Sequence, residues 1–67
     1  MTSQDILRAL TEHARGEYAK HKANVSLLLE SPVGLSHHTN YLDSVHDEIE
    51  QMSYWHDQID TIEREFK

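Results

Sequence analysis

Ser31-Pro32-Val33-Gly34-Leu35-Ser36 is the stretch that decides the fold. It holds the chain's only proline and one of its two glycines. Pro32 cannot continue a helix and pushes Ser31 towards extended backbone, and Gly34 gives access to a positive φ. No second cluster of helix breakers exists in the 67 residues. The sequence therefore predicts one loop, about residues 31–38, between two long helical segments of about 3–30 and 39–66. The expected fold is all-α: a single domain, residues 1–67, built as an antiparallel two-helix hairpin.

The first segment opens with Thr2 or Ser3 as a cap and with Asp5 in its first turn. Its apolar stripe reads Leu7, Leu10, Ala14, Tyr18, His21, Val25 and Leu28. Steps of three and four place these on one helical face. Ile6, Leu27 and Leu29 widen the stripe at its ends. Gly16 interrupts the helix at a cost of about 1 kcal/mol relative to Ala. It marks either a close backbone approach or a tolerated weakness.

The second segment carries two apolar seams that share half their members. One is Leu42, Val45, Ile49, Met52, His56, Ile59, Glu63 and Phe66, in heptad spacing with two polar interruptions. The other is Tyr41, Val45, Met52, Trp55, Ile59, Ile62 and Phe66. A hairpin partner covers one seam and leaves the other in need of a further surface. This predicts self-association through Leu42, Val45, Ile49, Met52, Trp55, His56, Ile59, Ile62 and Phe66. A dimeric four-helix bundle is the favoured form. The alternatives are a higher oligomer, or a monomer whose first helix covers both seams. Chains this short bury little surface and depend on staples or association, and with no cysteine a disulfide is excluded. His56 in a seam is expected to set pairing, and its protonation to weaken assembly below about pH 6.

Charge is unevenly placed. Residues 1–38 carry four acids and four bases, whereas residues 39–67 carry eight acids against Arg64 and Lys67. The whole net charge of −6 therefore sits in the second half. Such a surface repels phosphate backbones and argues against direct nucleic-acid binding. It suits solubility, mimicry of nucleic acid, or a basic protein partner, for which Asp57, Asp60 and the aromatic Tyr54 are the candidate contacts. On the first helix Arg8, Arg15 and Lys22 recur every seven residues. This basic stripe either faces the acids of the second helix or, with His37 and His38 at the start of that helix, binds an anionic small ligand.

Catalytic constellations are lacking. There is no cysteine, no Gly-x-Ser-x-Gly turn and no phosphate-cradling glycine loop. Among the six histidines, His13, Glu17 and His21 lie four apart, and Asp43, His46, Asp47 and Glu50 are helical neighbours. Such spacings can hold a metal inside a bundle. The Glu-x-x-His motif of di-iron bundles and the Glu-Glu-x-x-Glu motif of all-α nucleotide pyrophosphatases are both missing, so neither metal, cofactor nor enzymatic activity is expected. No apolar run approaches a membrane span, and residues 1–5 lack the basic-then-apolar order of a signal peptide. A soluble, intracellular protein is expected.

The stretch Leu28-Leu29-Glu30-Ser31-Pro32-Val33-Gly34-Leu35-Ser36-His37-His38-Thr39-Asn40 resembles a turn found in small proteins of tailed phages, especially those infecting marine cyanobacteria. Their pattern runs Leu-Leu, polar, Asn-Pro-Val-Gly, apolar, Gly-Glu-His-Pro-Asp, followed by an acidic amphipathic helix. Leu28, Leu29, Pro32, Val33, Gly34 and His38 match it. Ser31 stands for the Asn, Ser36 for the second Gly, Thr39 for the second Pro and Asn40 for the Asp. Loss of that first-turn Pro makes the helix start less rigid than the pattern implies. The resemblance covers about a dozen residues and implies a phage accessory protein in the cytoplasm of an infected bacterium. Such proteins bind a host protein, counter a defence system or join the virion. The expectation is a non-enzymatic interaction protein that blocks a host factor through its acidic helix. The alternatives are an oligomeric sponge for a phosphorylated signal nucleotide and a small virion component.

Overall fold

The structure is a computed structural model that describes residues 1–30 and 38–67; the turn that divides the two segments lies outside them. Two helices make up the described chain, α1 (Ser3–Glu30) and α2 (His38–Phe66), packed against each other along their length. The α1 bounds agree with those expected from sequence, and α2 starts one residue earlier. The helices run antiparallel. The end of α1 meets the start of α2 at Leu28 and Tyr41, the middle of α1 meets the end of α2 at Arg15 and Glu63, and the start of α1 shares a basin with Lys67. The result is a rod of 52 × 16 × 13 Å.

Thr2, rather than Ser3, caps α1. Its Oγ1 accepts from the Asp5 N–H at 3.1 Å, and the Asp5 carboxylate accepts from the Thr2 N–H at 3.1 Å. This reciprocal pair is a capping box with Asp in the usual Glu position. Arg64 stands in the last turn of α2, where a cation complements the helix dipole. At the other end of the rod the Tyr41 hydroxyl donates to the Leu28 carbonyl. That carbonyl lies in the last turn of α1, where no helical N–H follows to satisfy it.

The α1 face that meets α2 is Leu7, Thr11, Ala14, Tyr18, His21, Val25 and Leu28, all buried or half-buried. Its strict four-three alternation departs from the expected stripe at one position. Leu10 is 52% exposed and Thr11 is buried in its place. The Thr11 hydroxyl donates to the Leu7 carbonyl at 2.8 Å, so the buried oxygen is satisfied. Ile6, Leu27 and Leu29, expected to widen the stripe, stay exposed. The side of α2 turned to α1 is the Tyr41–Trp55–Ile62 seam. Ala14, with no side chain beyond Cβ, is 1% exposed, and Ile62 is the only other buried apolar residue among those described. A two-helix pair encloses little beyond small side chains, which is why so little of the chain is out of water.

Gly16 sits within α1, and no described glycine has a positive φ. A Cβ built on it meets nothing within 4 Å. The glycine marks no close approach, which leaves the tolerated weakness of the two sequence readings.

Candidate interaction site

Seven-residue spacing gives the rod two unequal long faces. On the first, a groove of about 600 Å³ runs between the helices, lined by Tyr18, Val25, Ile49, Met52 and His56, with Ser53, Asp57 and Asp60 on its rim. The Tyr18 and His56 rings stand 6.1 Å apart across it. Leu42 (61% exposed), Ile49 (46%) and Phe66 (59%) lie open. These, with exposed His56 and Glu63, are the members of the first α2 seam that stay exposed. Of the nine residues expected to drive self-association, Val45, Met52, Trp55, Ile59 and Ile62 are thus engaged within the hairpin, and Leu42, Ile49, His56 and Phe66 remain presented.

Towards the chain termini the same face holds a smaller basin of about 270 Å³, lined by Arg8, Arg15, Thr11, Glu12, Gln4, Leu7 and Lys67. Arg15 reaches across to Glu63 at 3.4 Å, and Arg8 lies 3.6 Å from Asp5. Both pairs are well exposed and contribute at most about 1 kcal/mol each. Arg8 and Arg15, from the anion set expected by sequence, therefore share one concavity, and Lys67 joins them. His38 begins α2 at the opposite end of the rod, and His37 lies outside the described residues.

The second face is polar. His21 Nδ1 lies 2.6 Å from the Glu48 carboxylate, which also accepts from Asn24 Nδ2 at 2.9 Å. On the other side of the ring, His21 Nε2 lies 3.6 Å from Glu17, and Lys20 pairs with Glu17 at 2.9 Å. The hydrogen bonds from His21 and then Asn24 hold the Glu48 carboxyl below the usual carboxylate range, and the Lys20 hydrogen bond does the same for Glu17. Glu48 continues the heptad spacing of the inner α2 seam between Val45 and Met52. A polar residue at a seam position was its only sequence signal. Nearby, His13 meets Trp55 edge-on at 5.2 Å, and Tyr54, itself exposed, meets Trp55 edge-on at 4.8 Å. The Trp55 indole N–H is buried with no hydrogen-bond partner among the described residues.

The outer side of α2 is an acidic ridge. Its carboxylates differ in how far they are already neutralised. Asp60 accepts from Arg64 at 2.6 Å, and Glu50 lies 3.0 Å from His46. Asp43, Asp47 and Asp57 are exposed, and none forms an ion pair among the described residues. Of the expected partner contacts, Asp57 and Tyr54 are presented freely and Asp60 is tied to Arg64.

Among the described residues no group of three or more His, Asp or Glu side chains is placed to hold a metal ion, and no helix is long and apolar enough to cross a membrane. Comparison of the chain with protein families, curated proteins and solved structures finds no match.

Proposed function

We propose that the chain is a non-enzymatic interaction protein in which two hairpins join into a dimeric four-helix bundle and the acidic ridge of α2 docks on, and blocks, a basic protein partner. In the setting implied by the turn around Pro32 and Gly34, that partner is a host factor in the cytoplasm of a phage-infected bacterium. The observation that carries the reading is the double exposure of α2. One of its sides keeps apolar side chains open (Leu42, Ile49, Phe66), and its outer side presents carboxylates that form no ion pair among the described residues (Asp43, Asp47, Asp57). Exposed large apolar side chains along one side, interrupted by His56 and Glu63, support an interface. Unpaired like charges beside it support steering of an oppositely charged partner.

Affinity capture from host lysate, with the captured protein identified and then purified, tests this. Reversing Asp57 and Asp43 to Lys is expected to abolish binding of the purified partner while leaving the oligomer's mass unchanged. Binding that survives both reversals, or that is insensitive to salt, refutes the ridge as the docking surface.

A second reading, sequestration of a phosphorylated nucleotide, is supported by the basin that gathers Arg8, Arg15 and Lys67. It requires ligand-dependent thermal stabilisation that disappears in Arg15→Ala.

A further inference from the structure

The open face carries its charges and its apolar groups on different helices, and this selects how a second copy can sit on it. On α1 the face shows Arg8, Arg15, Lys22 and Leu29 at seven-residue intervals; on α2 it shows Leu42, Ile49, His56 and Glu63 at the same interval. Arg8 and Arg15 line the basin with Thr11, and Arg15 reaches Glu63, which places both rows on this side of the rod. Levels along the rod follow from the contacts between helices: Leu28 with Tyr41, His21 with Glu48, His13 with Trp55. The helices run in opposite directions, so one residue further along each offsets these pairs by about 3 Å: Leu29 stays within a turn of Leu42 and Lys22 within a turn of Ile49, with Arg15 near His56 and Arg8 near Glu63.

The face runs 52 by 16 Å, long enough for the whole of both helices to take part in an interface. It can be stacked on itself about a two-fold axis in two ways. With the axis across the helices, α1 lies antiparallel on α1 and the row of Arg8, Arg15 and Lys22 faces its own copy. Arg15, near the middle of α1, then approaches its counterpart, and like charges repel, with only the exposed in-chain pairs to Glu63 and Asp5 to offset them. With the axis along the helices, each α1 lies on the partner's α2. Leu29 then meets Leu42, the alkyl stem of Lys22 crosses Ile49, and Arg8 and Arg15 approach Glu63 and Asp60. Every such contact occurs twice, as an isologous interface requires, and the cations keep their heads at the edge while their stems cover apolar surface.

We infer that the second copy packs in this latter way, with the Glu30 and His38 ends of both hairpins at the same end of the bundle. The inference rests on the self-association reading above and adds its geometry. It makes the two acidic ridges parallel neighbours on one assembly, both running in the same direction from the same end. The partner that fits such an assembly is a basic surface with two like-oriented contacts.

Because the chain has no cysteine, one Glu65→Cys substitution on exposed α2 surface gives a single site for a nitroxide label. Pulsed dipolar spectroscopy then reads the arrangement. Labels within about two helix diameters, roughly 20–25 Å, support the same-end bundle. A separation approaching the 52 Å length of the rod overturns it while leaving self-association intact. A monomer by native mass spectrometry overturns both. As a second measurement, Leu29→Lys and Leu42→Glu are each expected to weaken dimerisation on the order of tenfold to a hundredfold, because each buries an unpaired charge twice. Combined in one chain they are expected to recover most of that loss. Failure of the double variant to recover, with helicity retained, also overturns the arrangement.

Discussion

Replacing Gly16 with Ala tests whether α1 is limited by its own backbone. The residue lies on the exposed side of a continuous helix, its φ is not positive, and an added methyl meets nothing within 4 Å. No steric cost therefore opposes the gain in helix propensity, about 1 kcal/mol in a helix interior. Part of that gain comes from narrowing the unfolded ensemble. With an unfolding entropy of about 2.1 cal/mol/K per residue, 67 residues give roughly 0.14 kcal/mol/K, so 1 kcal/mol per chain raises Tm by about 7 °C. Thermal melts followed by far-ultraviolet circular dichroism, at matched chain concentration because association shifts Tm, measure it directly. An unchanged Tm would show that α1 is not strained by the glycine. A lower Tm would mean that Gly16 lies against a second copy in the assembly, and would refute the placement of the open face on the other side of α1.

Ala14→Leu fills a position that is 1% exposed and is expected to lower stability by about 1–3 kcal/mol through overpacking; chemical denaturation that shows no loss would place the helices further apart than they are described. Tyr41→Phe removes the bond to the Leu28 carbonyl and is expected to cost about 0.5–1.5 kcal/mol, with faster amide exchange confined to the last turn of α1. The carboxyls of Glu48 and Glu17 titrate lower in the folded chain than their ordinary value of 4.5. A depressed carboxyl stabilises the fold fully above its unfolded value and loses that contribution as pH falls through the folded one. Stability should therefore drop below about pH 4.5, and the drop should shrink in Glu48→Gln; an identical pH profile in that variant would refute the linkage.

The outline of the fold was legible because Pro32 and Gly34 are the only clustered breakers and the flanking segments keep a helical period throughout. The inner face of α1 was misread at one place for an instructive reason. Leu10 and Thr11 both fit the spacing, and hydrophobicity favours Leu10. The geometry of a close antiparallel pair instead places Thr11 beside Ala14, where two small residues let the backbones approach and the hydroxyl finds the Leu7 carbonyl. The double seam of α2 predicted that one row would be left over, and Leu42, Ile49 and Phe66 are that row. Periodicity, which sees one chain at a time, does not encode a partner for it. Glu48 was passed over because a charged residue at a seam position reads as an interruption; only the second helix reveals that His21 and Asn24 are its partners. The anion set mixed residues from both ends of the rod, since a repeat along one helix carries no information about which end another segment occupies.

The His21–Glu48–Asn24 contact also acts as a ratchet against slippage. Apolar stripes with a seven-residue repeat are nearly indifferent to a slide of one repeat, and a hairpin held by Leu, Val and Ile alone could settle into several alignments. Sliding α2 by seven residues along α1 would set the Glu48 carboxylate beside Ala14 or Leu28 and strip it of both donors. Losing both donors makes those alignments less favourable than the native one. One off-centre polar clasp thus favours a single alignment for a sparsely buried pair of helices, and with it a fixed pattern of open rows.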